Sequence, residues 1–190
     1  MAIVAPTAEQ PVIRTARLEL RPFFLDDSPR ITELAGAREI ADTTLNIPHP
    51  YPESAAEAWI ATHHQAWQDG VGVTFAIVER SASAVIGAIG LTIKPEHASS
   101  ELGYWVGVPY WNSGYCTEAG RAVLDLAFDM LGVHRVQARH LMRNPASGRV
   151  MQKLGMRLEG IHRESIRKWD RFEDLAVYAI LANERRLTAD

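Results

Sequence analysis

Two hydrophobic periods alternate along the chain. From Ile13 apolar and polar residues take turns, with Leu18 and Leu20 set against Arg17, Glu19 and Arg21, until Pro22 ends the run. That period of two predicts a strand with one buried face. Residues 73–79 and 85–93 are β-type runs joined by a short Ser-Ala-Ser turn, the pattern of an antiparallel hairpin. Val85, Gly87, Ile89, Leu91 and Ile93 share one face of the second run. Lys94-Pro95 breaks it, and a further strand follows from Glu101. Val136, Ala138 and His140 alternate with Arg135, Gln137 and Arg139 in a later strand. Residues 156–167 and 172–181 predict a closing strand pair around Trp169-Asp170-Arg171.

Helical spacing fills the intervals. Asp26 and Asp27 can open a helix whose apolar stripe is Ile31, Leu34 and Ala35. Residues 36–52 end in Asn-Ile-Pro-His-Pro-Tyr-Pro, which three prolines keep from being helical. Ser54 and Glu57 have capping-box spacing. The helix they open carries Ala56, Trp59, Ile60, His63 and Trp67 on one face as far as Gly70, so His63 reads as a satisfied core histidine. Ala119, Val123, Leu126, Ala127 and Met130 share the face of a long helix closed by Gly132. Asn144 stands as N-cap before Pro145, ahead of a short helix with Val150, Met151 and Leu154 inward and Gly155 as its stop.

Composition narrows the class. At 190 residues and 47% hydrophobic content the chain can bury one α/β core. It reads as a single domain over residues 1–190, with a core from 12 to 181 and tails at 1–11 and 183–190. A net charge of −3 without a basic block gives nucleic-acid binding no electrostatic support. No apolar run approaches the roughly 18–20 residues of a membrane span, and the N-terminus lacks the pattern of a secretory signal. One cysteine excludes an internal disulfide, and the seven scattered histidines predict no metal site. A cytoplasmic monomer or homodimer without membrane partners is expected.

Candidate chemistry concentrates in residues 101–121. A short strand with two tryptophans turns at Pro109, passes a small-residue loop and enters the long helix. That order predicts unpaired backbone N–H groups around residues 112–117, with the positive end of a helix dipole behind them. Such a place attracts phosphate, and Gly114 lets backbone approach a ligand closely. An ordinary strand-to-helix connection uses the same residues. Neither GxGxxG nor GxxxxGK[ST] is present.

The segment E-L-G-Y-W followed by Y-W-N-S-G-Y-C-T-E-A resembles the acyl-CoA loop of the GNAT superfamily of N-acetyltransferases, in its RimJ/RimL-type branch. Asn112 stands where glycine is usual there, and Cys116 where alanine is usual. T-x-R-L-x-L-R-P-F from Thr15 and N-P-A-S-x-x-V-x-x-K-L-G-M-R-L-E-G from Asn144 resemble two further motifs of that branch, in the expected order. Asp174 and Tyr178 match its D-x-x-x-Y spacing. The resemblance spans nearly everything from Thr15 to Leu181.

That resemblance implies a mixed α/β fold: a twisted, mostly antiparallel sheet flanked by helices, with two adjacent parallel strands splayed around the pantetheine arm of the cofactor. It implies transfer of acetyl from acetyl-CoA to a primary amine, directly in a ternary complex, leaving coenzyme A. The acceptor expected is a protein N-terminal α-amine. A small amine (polyamine, amino acid or drug) and a non-catalytic acyl-CoA-binding module are the alternatives, and the lack of a carboxylate in residues 43–51 counts against polyamines.

By the same resemblance, backbone of Trp105, Val106, Gly107 and Val108 holds the pantetheine, and the Val106 amide faces the acetyl oxygen. Amides of Trp111, Asn112, Ser113, Gly114, Tyr115, Cys116 and Thr117 hold the pyrophosphate. Asn144 contacts the pantetheine arm, and Ser147 and Arg149 lie near the cofactor. Ser147 or Tyr178 would donate a proton to the departing thiolate, and Cys116 is structural. Glu101 matches a position where a carboxylate acts as base, usually through water. It lies on the order of 16 Å from Val106 at about 3.3 Å per residue, so a bulge or a water relay is needed. A hairpin glutamate known in some members is replaced by Ile166, with Glu164 two places off. Residues 47–51 are a candidate substrate lid.

Overall fold

A computed structural model describes residues 9–185. Strands β1 (Ile13–Arg14) and β2 (Leu18–Arg21) precede the helices α1 (Ser28–Ala35), α2 (Arg38–Thr43), α3 (Ala55–Ala61) and α4 (His63–Gln68). The hairpin β3 (Gly72–Glu79) and β4 (Ala84–Lys94) follows. β5 (Ser99–Val106) leads into α5 (Tyr115–Asp125), and β6 (Arg135–Leu141) into α6 (Pro145–Lys153). β7 (Arg157–Lys168), β8 (Arg171–Leu181) and the short α7 (Ala182–Arg185) complete the described chain.

The eight strands form one sheet in the order β1-β2-β3-β4-β5-β6-β8-β7, antiparallel except for β5 beside β6. Alternation along the strands sends apolar side chains to both faces, so each face is covered by helices. One layer joins Leu18, Leu20, Phe75, Ile89 and Leu102 to Val123 of α5 and Met151 of α6. The other packs Ala76, Val85 and Ala88 against Ile31 and Ala35 of α1 and Ile60 of α3. The mixed, mostly antiparallel sheet with splayed central strands is the architecture expected.

Several local readings are corrected. The run from Ile13 is not one strand: it folds back at residues 15–17, where the Thr15 amide donates to the Leu18 carbonyl at 2.9 Å. Helix α2 lies inside the segment expected to be irregular. The prolines begin only at Pro48, so nothing prevents a helix before them, and burial of Ile40 and Ala41 supplies its anchor. Ser54 takes helical angles (φ −82°, ψ −4°) and makes no side-chain cap, so the capping box is not formed. The helix after it breaks at Thr62 into α3 and α4.

His63 is buried as expected but unsatisfied: among the described residues neither ring nitrogen has a hydrogen-bond partner. Its ring packs edge-on against Trp59, 4.4 Å between centroids, and burial pushes its pKa down to about 4, so it stays neutral. In β4, Ile86 is an extra residue between the pairs Val78–Val85 and Ile77–Gly87. This bulge turns Val85 to the α1 face and leaves Ile86 on the opposite layer with Ile89, Leu91 and Ile93. After α5 a π-helical stretch, Leu126–Met130, carries one more residue per turn than an α-helix. Met130 is thereby rotated out to 60% exposure, and Leu131 takes its place in the core.

Candidate active site

The site begins where two strands part. β5 and β6 pair only where Ser99 through Glu101 face Arg135 through Gln137, and beyond that they diverge. On its other side β5 stays regularly paired to β4 as far as Val106. The Gly107 amide donates to the Ile86 carbonyl at 2.8 Å, so Val106 opposite Gly87 is a non-hydrogen-bonded pair of that ladder. By the alternation of β5, Leu102, Tyr104 and Val106 turn their backbone groups toward the β6 side, whereas Trp105 turns its own toward β4. The Val106 carbonyl accepts from Trp111 Nε1 at 2.8 Å, which leaves its N–H facing the gap. Of the four residues expected to hold a pantetheine arm, only Val106 offers backbone to the gap. Gly107 packs on Leu34, and the Val108 carbonyl accepts from the Trp111 amide at 3.2 Å. The strands approach closely here: a Cβ on Gly87 would lie 2.2 Å from the Trp105 carbonyl oxygen.

A cavity of about 760 Å³ runs through this gap. Of the residues expected at the site, Glu101, Trp105, Val106, Trp111, Asn112, Gly114, Tyr115, Cys116, Thr117, Asn144, Ser147 and Arg149 line it, and Gly107, Val108, Ser113 and Tyr178 do not.

The loop before α5 has the chemistry of an anion site. Asn112 (φ 59°) and Gly114 (φ 79°) are both left-handed, which explains why asparagine can stand where glycine is usual: its short polar side chain tolerates that conformation. The Thr117 amide is taken by the Gly114 carbonyl at 3.1 Å, and that of Trp111 by Val108. Among the described residues, the amides of Asn112, Ser113, Gly114, Tyr115 and Cys116 have no protein acceptor. That leaves five donors at the positive end of an eleven-residue helix. The loop is braced from the N-terminal turn. Arg17 reaches Glu118 at 2.7 Å and the Ser113 carbonyl at 3.0 Å, and the Thr15 hydroxyl donates to Glu118 at 2.6 Å. Burial alone would raise the Glu118 pKa. The Thr15 hydroxyl together with the Arg17 amide and guanidinium outweighs burial and holds the carboxyl below its ordinary value. Two motifs separated by about a hundred residues of sequence thus meet, and Arg17 is a binding-loop residue that the strand pattern showed only as outward-facing.

Four of the expected residues have well-defined surroundings. Glu101 accepts Arg139 Nε at 2.9 Å, Arg139 Nη2 at 2.8 Å and Gln137 Nε2 at 3.0 Å. β5 has no bulge, so nothing shortens its distance to Val106, and direct proton abstraction by Glu101 at that point is excluded. Tyr178 is buried on β8 beside His140 and accepts from Gln152 Nε2 at 3.3 Å, away from the cavity. Asn144 caps α6 through the Ser147 amide at 3.2 Å, and its Nδ2 donates to the Thr43 carbonyl at 3.1 Å. Burial pushes the Cys116 thiol up to about 12, which keeps it protonated and unreactive at neutral pH.

The opposite face of the sheet forms the second half of the cavity. Trp105 and Gly103 form its floor, and Trp59, Tyr51 and the segment 43–48 its walls. A Cβ on Gly103 would meet nothing within 4 Å, so the floor is open space bounded by apolar rings. Among the described residues Glu101 is the only carboxylate lining the cavity, and Arg139, Arg149 and Lys153 are its cations. The segment is latched across the gap. Lys168, 6% exposed, donates to the carbonyl of Thr44 at 2.7 Å and lies 3.4 Å from those of Leu45 and Ile47. Arg143 bridges Asp42 of α2 at 2.7 Å.

A backbone-lined gap beside a helix N-terminus with five free amides, facing an apolar chamber, is the framework of an acyl-CoA-dependent transferase. The acetyltransferase (GNAT) domain pattern matches residues 17–157, and the chain belongs to that family. It is 34% identical to an uncharacterized N-acetyltransferase, YnaD of Bacillus subtilis (strain 168), over 90% of this chain and 98% of the relative. Its fold matches a GNAT-family acetyltransferase from Bacillus anthracis with a TM-score of 0.81 at 24% identity, covering 91% of this chain and 99% of the other. It also matches RimL, a ribosomal α-N-protein acetyltransferase in complex with coenzyme A, with a TM-score of 0.83 at 16% identity, covering 90% and 98%. The protein is an acetyl-CoA-dependent N-acetyltransferase. Among the described residues no helix is long and apolar enough to cross a membrane, and no acidic, histidine or cysteine group is arranged to hold a metal ion.

Proposed function

We propose that the acceptor is a protein N-terminal α-amine. The observation that carries this reading is the lack of a carboxylate beside Val106. The cavity has one, Glu101, five positions away along a regular strand and already bound to Arg139 and Gln137. An α-amine has a pKa of about 7.7–8.0 and gives up its proton to water near neutrality. A lysine or polyamine ammonium, near 10.4, leaves roughly one molecule in a thousand or fewer neutral at pH 7 and needs a strong adjacent base. A single neutralised carboxylate among Trp105, Trp59 and Tyr51 also gives a polyamine nothing to pair with. Those same rings favour, as a second reading, a small α-amine with an apolar body.

The chain's own groups divide the work. Amides of residues 112–116 with Arg149 and Lys153 hold the phosphates, and backbone of Leu102 and Tyr104 holds the pantetheine arm. Bound acetyl-CoA supplies the thioester carbon. The Val106 N–H, which faces the gap, donates to the carbonyl oxygen as charge builds on it. The chamber walls hold the amine in line. The amine gives its proton to solvent water, with no carboxylate beside Val106 to take it.

CoA release measured across a peptide panel tests the acceptor. Peptides with free N-termini should turn over, with a rate rising to a plateau near pH 8. N-terminally blocked peptides bearing lysine, and spermidine, should not. Turnover confined to lysine or spermidine would refute the α-amine.

A further inference from the structure

Tyr104 stands on β5 and Ser147 on α6, the helix that follows β6, and both line the cavity. The Tyr104 hydroxyl lies 2.9 Å from Ser147 Oγ and 3.0 Å from the Ser147 carbonyl oxygen. The Ser147 backbone is itself held, its amide donating to the Asn144 side chain. Among the described residues no other protein group is hydrogen-bonded to Ser147 Oγ.

Two hydroxyl protons therefore have two arrangements. In the first, Tyr104 donates to the Ser147 carbonyl and Ser147 donates back to Tyr104. In the second, Tyr104 donates to Ser147 Oγ, and the serine proton is released toward the cavity. Without Tyr104, a serine in the first turn of a helix turns its proton to a carbonyl three or four residues back, here Asn144 or Arg143. Tyr104 thus supplies the donor that makes the outward arrangement of Ser147 available.

We propose that Tyr104 is a positioning residue that turns the Ser147 O–H into the gap, where it hydrogen-bonds the sulfur departing from the acetyl thioester. This rests on the acetyl-transfer reading of the site. The amine nitrogen forms the new bond to the carbonyl carbon, the carbon–sulfur bond breaks, and its electron pair stays on sulfur. The amine's surplus proton leaves to water, so no further reactant is needed. The pair donates hydrogen bonds and not a proton. A thiol of pKa about 8.5 is a far weaker base as its thiolate than a phenolate near 10, and burial raises the Tyr104 hydroxyl further. Tyr178 has no part in this step.

Bound coenzyme A alone is the probe, because its thiol titration needs no acceptor. Following thiolate absorbance against pH, the thiol should titrate lower on the wild type than on Tyr104→Phe by about 1 to 2 units, the worth of one hydrogen bond to a charged acceptor. Ser147→Ala should raise it equally, and the double variant no further, because the two hydroxyls act as one unit. Ser147→Thr, which keeps the hydroxyl, should stay near wild type. Tyr104→Met, equally without a hydroxyl, serves if the Phe variant does not fold. Identical titration in all variants, or effects that add fully, overturns the pairing. A wild type that fails to bind coenzyme A at all would instead overturn the acetyl-transfer reading beneath it.

Discussion

The two halves of the cavity are built by different means. The cofactor half is made almost wholly of backbone: five free amides, two left-handed residues and one helix end, within residues 112–125. The acceptor half is made of side chains brought together from afar. The contact between Lys168 and the Thr44 carbonyl, for example, closes 124 positions of sequence. A backbone site depends on local conformation and tolerates changes of side chain, as Asn112 for glycine illustrates. A side-chain chamber can be refitted to a new acceptor without disturbing the diphosphate.

Three changes would break this division if it is wrong. The largest effect is expected at Gly114. A β-branched residue at φ 79° strains the turn and shields its amides, so Gly114→Val should weaken coenzyme A binding by about 100-fold in calorimetry. It should leave thermal stability far less affected than binding. Next, Lys168→Met removes the cation facing three carbonyls. It should cost about 1.5–3 kcal/mol of stability, speed hydrogen exchange at residues 44–47 and raise KM for the acceptor. Coenzyme A affinity should change less than about twofold, and parallel loss of both affinities would unite the halves.

The smallest effect concerns the brace behind the loop. Because the folded Glu118 pKa is depressed, its contribution is complete above the ordinary carboxylate range and is lost as pH falls through the folded value. Glu118→Gln should therefore lower Tm at pH 7 by only about 2–4 °C and flatten the acid limb of the Tm profile. A wild-type profile already flat below pH 4 would show that the Arg17 and Thr15 contacts contribute nothing.

How much was legible follows the same line. Period-two and period-3.6 patterns located the strands and most of the helices, because burial of one face is written in consecutive residues. The loop before α5 was legible for a similar reason: glycine, asparagine and a helix start within a few positions define its conformation and leave its amides free. Bulges and register were not. Ile86 and the π-turn at 126–130 each insert one residue into a pattern that reads smoothly without it, which misplaced Val85 and Met130. Helix α2 has too few residues for a period to register, and it stands only because Ile40 and Ala41 are covered.

Side-chain roles divided in the same way. Ser147 and Val106 stand in motifs that draw attention to them, but the Tyr104 contact with Ser147 Oγ was not legible, since it exists only when β5 and α6 bring the two hydroxyls within 2.9 Å. Tyr178 fitted the motif spacing yet is spent inside the sheet, where Gln152 donates to it. Glu101 was correctly assigned to the central strand, which begins two residues earlier at Ser99. Its commitment to Arg139 depends on the parallel register of β5 and β6, a pairing set by tertiary packing.

Sequence by itself determined the family, the alternation of strands and helices, and the turn that opens α5, because each rests on interactions between residues near in the chain. Tertiary structure alone decided where the strands part, which backbone groups face the gap, which carboxylate lacks reach and what holds the acceptor segment down. These depend on distances between elements, which no local pattern encodes.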